Sequence, residues 1–330
     1  MSPQRVVVIG GTGHIGTFLI PRLVRAGHDV VNVSRGTRSA YVDAPEWEQV
    51  EQVVADREQE DRDGTFGERV VGLRPDVVVD LVCFTLESAV ALVERLRGTG
   101  VHLVHCGSIW RAGPSSVLPI TEENGTAPVG EYGVEKDRIA RMLKQETADG
   151  GVVTTSLHPG HISGPGWMPI GPVGNLDPGV LRTLSAGESL AIPGIGAETM
   201  AHVHADDVAQ AFQLAVEHRD AAAGEDFTVV AQDALNVRGY ASLAASWFGQ
   251  EARLESVPFD RFRETTDQDA AQASWDHLSR SQVFSIDKAR RLLGYEPQHT
   301  AGETVEEAVR WLVEHGELEV ATSFTTPGRW

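Results

Sequence analysis

The sequence predicts an α/β protein, with a Rossmann-like, doubly wound parallel sheet and a smaller C-terminal α/β lobe. Three observations carry this prediction. Short valine-rich runs alternate with helical patterns in the first half of the chain, a glycine-rich loop follows the first run, and the composition changes after Leu157. Strands that alternate with helices are typical of parallel sheets.

The predicted strands are apolar runs without polar alternation, which indicates burial on both faces. They are Arg5–Ile9, Asp29–Val33, Gln49–Val54, Asp76–Val82, Val101–Cys106 and Val152–Leu157. Helical patterns lie between them, near His14–Ala26, Thr65–Leu73, Glu87–Leu96 and Glu131–Thr147. The heavily acidic segment Glu46–Gly64 predicts an exposed loop that follows the third strand.

The second half opens with a stretch rich in proline and glycine, His158–Gly179. Long ordered loops are often functional. The elements predicted after it are helices near Pro178–Ala186, Asp206–Glu217, Val237–Phe248, Ile286–Leu293 and Glu303–His315, and strands at Leu190–Ile192, Phe227–Val230 and Arg253–Val257.

Composition excludes several classes of function. A formal charge of −19 over 330 residues argues against binding to nucleic acid or to an anionic membrane. No signal peptide is recognised, and no apolar run approaches the roughly 20 residues of a membrane helix. The two cysteines, Cys83 and Cys106, lie in apolar runs. We therefore expect a cytoplasmic protein with reduced thiols.

The glycine-rich loop directly follows the first strand, as Gly10-Gly-Thr-Gly-His-Ile-Gly16. It fits both G-x-x-G-x-x-G and G-x-G-x-x-G. Glycines permit a tight turn and close approach of the backbone to a pyrophosphate, which the helix N-terminus then binds. The position between a strand and a helix predicts a dinucleotide site at Gly10, Gly13, His14, Ile15 and Gly16.

The end of the second strand bears on the choice of cofactor. NAD-binding folds usually place an acid there to hold the ribose 2′-hydroxyl, whereas this chain has Ser34, followed by Arg35 and Arg38. An arginine can pair with a 2′-phosphate. NADP is therefore the preferred expectation and NAD the alternative. Both arginines can also be ordinary solvated charges.

Tyr132 and Lys136 lie four residues apart on a predicted helix and so share one face. A nearby ammonium favours the phenolate, and a tyrosine with a lowered pKa is a general acid/base. A chance pair on an amphipathic helix is the alternative interpretation.

Together with Ser108 after the fifth strand, these motifs resemble the extended short-chain dehydrogenase/reductases, and more specifically the NAD-dependent epimerase/dehydratase family. Further similarity is seen in Leu157–Pro165, in His202–Val208 and in Ser285–Gly294. Dehydratases of the family carry an acid pair after the catalytic serine or threonine. Here Ile109-Trp-Arg111 follows instead, which argues against elimination.

The resemblance implies a role for each matching residue. Tyr132 would exchange the proton of a substrate alcohol, Ser108 would hydrogen-bond the reacting oxygen, and Lys136 would bind the nicotinamide ribose and depress the tyrosine pKa. Asp56 would lie near adenine. The expected reaction is hydride transfer at a secondary alcohol or ketone of a sugar or sugar nucleotide. Epimerase and NADPH-dependent reductase both remain open, and the protein is expected to be a homodimer.

The domain division follows from these assignments. We expect a dinucleotide-binding Rossmann domain in residues 1–164 and a mainly substrate-binding lobe in residues 165–330, with segments near 190–230 returning to the first domain. Candidate substrate contacts are Trp110, Trp167 and Asn175.

Other functions are less well supported by the residues. His202 and His204 alternate on a strand-like segment, but only the neighbouring acids Asp206 and Asp207 are available to complete a metal site, so no metal is expected. Ser108 lacks the G-x-S-x-G context of a hydrolase. A dinucleotide-binding sensor or scaffold without turnover would not need Tyr132. Some atypical relatives bind RNA, which the negative charge disfavours.

Overall fold

A parallel sheet forms the centre of the molecule, as the valine-rich runs predict. The computed structural model describes residues 3–114 and 116–325. In chain order, the strands of this part of the protein are β1 Arg5–Ile9, β2 Asp29–Ser34, β3 Glu51–Val54, β4 Val77–Asp80, β5 His102–Cys106, β6 Val153–Pro159, β7 His161–Ser163, β8 Ser189–Pro193, β9 Thr199–Met200, β10 His202–His204, β11 Asp226–Val229, β12 Leu235–Asn236 and β13 Arg253–Val257.

Seven of the described strands form the central sheet, in the order β11-β6-β5-β4-β1-β2-β3, and every neighbouring pair is parallel. The strand order reverses between β1 and β4. In open α/β sheets, ligands bind outside the carboxyl ends of the strands at such a point.

Helices cover both faces of this sheet. The α-helices of the described residues are α1 His14–Arg25, α2 Arg57–Arg62, α3 Phe66–Gly72, α4 Leu86–Leu96, α5 Glu131–Ala148, α6 Pro178–Ser185, α7 Ala205–Glu217, α8 Arg219–Ala222, α9 Val237–Ser246, α10 Phe259–Phe262, α11 Gln268–Leu278, α12 Asp287–Leu293 and α13 Ala301–Glu314.

Alternate residues of the strands enter two separate cores. Val6 and Val8 of β1 pack with α1, α7 and α12, whereas Val7 and Ile9 pack with α3, α4 and α5. Side chains of a strand alternate between the two faces of a sheet, so a strand buried on both faces must be apolar throughout. The predicted doubly wound α/β fold is confirmed.

A third core gathers side chains from the second half of the chain, including Val180, Tyr240, Trp247 and Val305. The parallel pair of β8 and β13 lies at this smaller lobe. Parts of the second half also belong to the domain of the central sheet. Helix α7 packs in the core that contains Val6 and Val8, and β11 is a strand of that sheet. The boundary at residue 164 stays a prediction.

The acidic segment Glu46–Gly64 is more ordered than predicted. It contains a short 3₁₀ helix at Pro45–Gln49, β3 and α2. The prediction of a loop there is wrong. The acidic side chain of Asp56 does not mark a loop but begins a helix, because it caps α2 by accepting a hydrogen bond from the Gln59 N–H. Within the described residues, every helix is too short or too polar to cross a bilayer.

Candidate active site

The glycine loop joins β1 to α1 at the carboxyl edge of the sheet. Gly10 adopts a φ of +86°, and its N–H donates to the Val33 carbonyl at 2.8 Å. A Cβ at Gly16 would lie 2.2 Å from the Gly11 carbonyl oxygen, so only glycine permits this close packing. Gly13 caps α1 without a side-chain hydrogen bond, and the first turn contains no acid. The helix N-terminus is thus suited to an anion.

A cavity of about 880 Å³ opens beside this loop. It is lined by six of the predicted cofactor residues, Gly10, Gly13, Ser34, Arg35, Arg38 and Asp56. His14, Ile15 and Gly16 lie in the first turn of α1 and are largely buried. The volume is in the range of small-molecule and cofactor sites. The absence of a Cβ at the turn and the free N–H groups of α1 fit a dinucleotide.

Two arginines without ion-pair partners in the described residues follow β2 and line one end of this cavity. Arg35 and Arg38 are exposed, and neither forms a salt bridge within the described part of the chain. Ser34 stands where an acid would repel a phosphate, and its Oγ accepts a hydrogen bond from the Gly36 N–H at 3.3 Å. The local charge is therefore complementary to an additional phosphate.

Sequence reasoning missed several residues of the cavity. They include Thr12, Arg57, Phe84, Thr85 and Ser88. Most follow β3 or β4, so the rule that ligands bind at the carboxyl ends of parallel strands would have found them. The guanidinium of Arg57 is held by ion pairs with Asp80 and Asp61, and its carbon lies 5.2 Å from the Phe66 ring centroid.

Ser108, Tyr132 and Lys136 lie near one another, and Phe84, which contacts Lys136, connects them to the lining of the cavity. Ser108 lies two residues after the end of β5 and is buried, and its Oγ accepts a hydrogen bond from the Trp110 N–H at 3.2 Å. Tyr132 lies in the first turn of α5 and is 44% exposed, whereas Lys136, one turn later, is 1% exposed. The Lys136 Nζ lies 5.8 Å from the Tyr132 ring centroid. The predicted shared face is present.

Two carbonyl groups fix the Lys136 ammonium. Its Nζ donates to the Cys83 oxygen at 2.7 Å and to the Cys106 oxygen at 2.8 Å. The exposed ring of Phe84, which lines the cavity, lies 4.8 Å from the same nitrogen. The ammonium therefore connects the ends of two central strands to the helix that carries Tyr132.

Burial dominates the protonation of these groups. It lowers the pKa of Lys136 and raises that of Tyr132, while the hydrogen bond between Tyr132 and Ser108 lowers the tyrosine pKa. Burial also raises the pKa of the Cys106 thiol to about 11. The thiol therefore stays protonated near neutral pH.

The three predicted substrate contacts have different surroundings. The Trp110 ring lies 6.2 Å from that of Tyr132, next to the proposed reacting position. Trp167 lines the cofactor cavity and packs against His14 at 4.7 Å. Asn175 is buried, its Nδ2 donates to Ser274 Oγ at 3.0 Å, and its Oδ1 accepts from the Asp177 N–H at 3.1 Å. Its amide is already satisfied, so we assign it a structural role.

Trp110 also contacts a buried cation. The guanidinium carbon of Arg280 lies 3.9 Å from its ring centroid. Arg280 is 7% exposed and has no carboxylate partner among the described residues, although it donates to the carbonyl oxygens of Asp276 and Val129. Its Nη1 is buried without a hydrogen-bond partner. A buried charge of this kind favours an anionic ligand.

His204, Glu307 and His299 lie close enough to be considered as metal ligands. However, His204 caps α7, because its Nδ1 accepts a hydrogen bond from the Asp206 N–H at 3.0 Å. The neutral ring therefore carries its proton on Nε2, which lies 3.2 Å from a Glu307 oxygen. This arrangement favours a contact between the Nε2–H of His204 and Glu307, together with the predicted helix start, over metal ligation.

Comparison with known proteins agrees with this geometry. Residues 6–230 match the NAD dependent epimerase/dehydratase family. The chain is 26% identical to the 2'-dehydrokanamycin reductase of Streptomyces kanamyceticus over 95% of this chain and 86% of the relative. It is 25% identical to a UDP-glucose 4-epimerase of Corynebacterium glutamicum, over 92% and 94% of the two chains.

Structural similarity extends over nearly the whole fold. The solved structure of the epimerase Mth375 from Methanothermobacter thermautotrophicus superposes with a TM-score of 0.74 and 25% identity, covering 96% of this chain and 94% of that one. The glycine loop, the parallel sheet and these matches lead to one conclusion: the chain is an enzyme of the NAD-dependent epimerase/dehydratase family.

Proposed function

We propose that this enzyme transfers hydride between NADP(H) and a secondary alcohol or ketone of a sugar or sugar nucleotide, with Tyr132 as the general acid/base. The observation that carries the proposal is the convergence of Ser108, Tyr132 and Lys136 beside the cofactor cavity. The nicotinamide, when bound, supplies the hydride acceptor or donor.

The three residues divide the remaining work. The Tyr132 phenolate takes the proton of the alcohol during oxidation, and the resulting phenol returns it during reduction. Ser108, whose hydroxyl lowers the pKa of Tyr132, orients the reacting oxygen. The Lys136 ammonium favours the phenolate and offers its one remaining N–H to the ribose of the cofactor. Proton and hydride then leave the same carbinol group in a defined geometry.

The preference for NADP over NAD rests on Arg35 and Arg38. Both are exposed at the cavity without an acidic partner in the described residues, and Ser34 presents no negative charge. Titration of NADPH and NADH against tryptophan fluorescence tests this. Replacing both arginines by serine is expected to weaken NADPH binding by about 1.5–3 kcal/mol and to change NADH binding little. Tighter binding of NADH to the unaltered protein would refute the preference.

The substrate pocket is proposed to include Trp110 and Arg280. The unpaired guanidinium favours a substrate with an anionic group, which supports a sugar nucleotide over a neutral sugar. A relative acts as a UDP-glucose 4-epimerase. With UDP-hexoses as substrate, Arg280→Gln is expected to raise KM at least about tenfold. An unchanged KM would remove Arg280 from the pocket.

Reductase activity is the second candidate, because an exchangeable NADPH suits a reductase and another relative is named 2'-dehydrokanamycin reductase. The amount of cofactor consumed for each product formed distinguishes an epimerase from a reductase. An epimerase interconverts UDP-hexoses with a catalytic amount of cofactor, whereas a reductase consumes one NADPH for each product. The homodimer, the cytoplasmic location and the absence of nucleic-acid partners stay predictions.

A further inference from the structure

A buried histidine lies directly behind the proposed catalytic serine. His158, near the end of β6, is 2% exposed, and its Nδ1 accepts a hydrogen bond from the Ser108 N–H at 3.3 Å. A Cβ at Gly107 would lie 2.1 Å from this Nδ1. The ring therefore packs against the bare backbone at the point where β5 ends and the active-site segment begins.

The hydrogen bonds of His158 define its tautomer. Since Nδ1 accepts, the neutral ring carries its proton on Nε2. Asp226 Oδ1 lies 3.4 Å from Nε2, and Arg111 Nη1 lies 3.2 Å from it. Two nitrogens that both carry hydrogen cannot bond to each other, so the carboxylate is the partner of the imidazole. Burial lowers the pKa of His158 to about 4, and the ring is neutral near pH 7.

Arg111 extends this arrangement to the helix of Tyr132. It follows Ser108 by three residues and lies 3.3 Å from Asp226 and 3.3 Å from Asp137. Asp137 belongs to α5, directly after Lys136. The charged side chains of Asp226, Arg111 and Asp137 thus join β11, the serine segment and the tyrosine helix.

We propose that His158 is a positioning residue, which, held by Asp226, fixes the backbone of Ser108 so that its hydroxyl stays aligned with Tyr132. This inference rests on the proposed function. The Ser108 Oγ is already constrained by the Trp110 N–H at 3.2 Å. With the Ser108 N–H fixed as well, the serine is held at its main chain and at its side chain. Small rotations of the segment would misdirect the hydroxyl and weaken catalysis.

Two substitutions of His158 by amide side chains distinguish positioning of Ser108 from a purely structural packing role. In His158→Asn, the amide oxygen can take the place of Nδ1 and accept from the Ser108 N–H. In His158→Gln, the amide reaches the place of Nε2 and can contact Asp226, but the acceptor for Ser108 is lost. Both leave one ring nitrogen unreplaced, so their effects on stability are expected to be similar.

The test compares the two variants with the unaltered enzyme by turnover of UDP-hexoses and by thermal unfolding. We expect kcat to fall about tenfold in His158→Gln and to be mostly retained in His158→Asn, with KM and the NADPH dissociation constant within about threefold of the original in both. Equal kcat values in the two variants, or a loss confined to KM, would overturn the proposal.

A measurement without substrate keeps this test independent of the proposed reaction. The pKa of Tyr132 is read from tyrosinate absorbance, as the difference between each protein and the same protein carrying Tyr132→Phe. Because the Ser108 hydrogen bond lowers this pKa, it is expected to rise in His158→Gln and to change less in His158→Asn.

The two readouts distinguish the possible failures. If the unaltered protein transfers no hydride with any sugar or sugar nucleotide, the proposed function fails, and the tyrosinate titration alone decides the role of His158. If the titration is the same in all three proteins, the positioning role is wrong. Asp226→Ala provides a second route, since it removes the oxygen that holds the imidazole without changing His158, and it is expected to raise the Tyr132 pKa as His158→Gln does.

Discussion

Removing the Lys136 ammonium should impair both the deprotonation of Tyr132 and local stability. Lys136→Met keeps much of the apolar stem and deletes the charge. The Lys136 Nζ lies 5.8 Å from the Tyr132 ring centroid. A unit charge at about 6 Å from a phenolate oxygen would interact with it by about 3 kcal/mol at an effective dielectric constant of about 20. That corresponds to a rise of about 2 units in the tyrosine pKa, or about a hundredfold loss of the reactive phenolate near neutral pH.

The same substitution leaves two buried carbonyl groups without their donor. The Cys83 and Cys106 oxygens accept from Nζ at 2.7 Å and 2.8 Å, and each unsatisfied group costs about 1–3 kcal/mol. The free energy of unfolding is therefore expected to fall by several kcal/mol. Chemical denaturation measures this fall.

The assay follows the tyrosinate absorbance of Tyr132 and the pH dependence of kcat with UDP-hexoses. Lys288→Met is the matched control, because Lys288 is also shielded from solvent but lies on α12, where its Nζ is ion-paired with Glu225 at 2.8 Å. We expect the basic shift of the tyrosine titration only in Lys136→Met. An unchanged Tyr132 pKa in that variant would refute the electrostatic role of the lysine.

Three further predictions concern the loop, the pocket and the core. Gly16→Ala is expected to abolish NADPH binding or folding because its Cβ would meet the Gly11 backbone at 2.2 Å, whereas Gly72→Ala, with open space, should change neither in a binding titration. Trp110→Leu should raise KM more than it lowers kcat, since the ring contacts Arg280 beside Tyr132; a loss confined to kcat would contradict this placement. Burial lowers the pKa of His102 from 6.5 to about 3, so the unfolded chain binds a proton that the folded state does not, and stability falls as pH drops below 6.5. His102→Gln should recover about 2 kcal/mol of this loss near pH 5, and an unchanged pH dependence of unfolding would count against the assignment.

The sequence predicts the parts of this site that are local in the chain. The glycine loop is one continuous motif between a strand and a helix, and Tyr132 and Lys136 share a helical face because they are four residues apart. The position of Tyr132 and Lys136 near Ser108 follows from the parallel sheet, because the carboxyl ends of its strands lie at one edge. Arg57 and Phe84 of the cofactor cavity lie at that same edge.

The contacts behind the active site could not be predicted from local patterns. His158 meets Ser108 across 50 residues of sequence, and Asp226 lies 68 residues beyond His158. Such pairs depend on strand order, which places β11 beside β6 and β6 beside β5. Asn175 illustrates the opposite problem, since a polar residue in a proline- and glycine-rich loop has the same appearance in sequence whether it binds a ligand or secures the loop.

The most direct test of the account is the rate of hydride transfer in a single turnover, measured with bound NADP⁺ and a UDP-hexose for the unaltered enzyme and for Tyr132→Phe. The substitution removes one hydroxyl from a half-exposed ring, so cofactor binding and stability should be kept. We expect the rate to fall by about 10²–10⁴-fold, the range attributed to a general acid/base. Equal rates in the two proteins would contradict the central claim that Tyr132 exchanges the substrate proton.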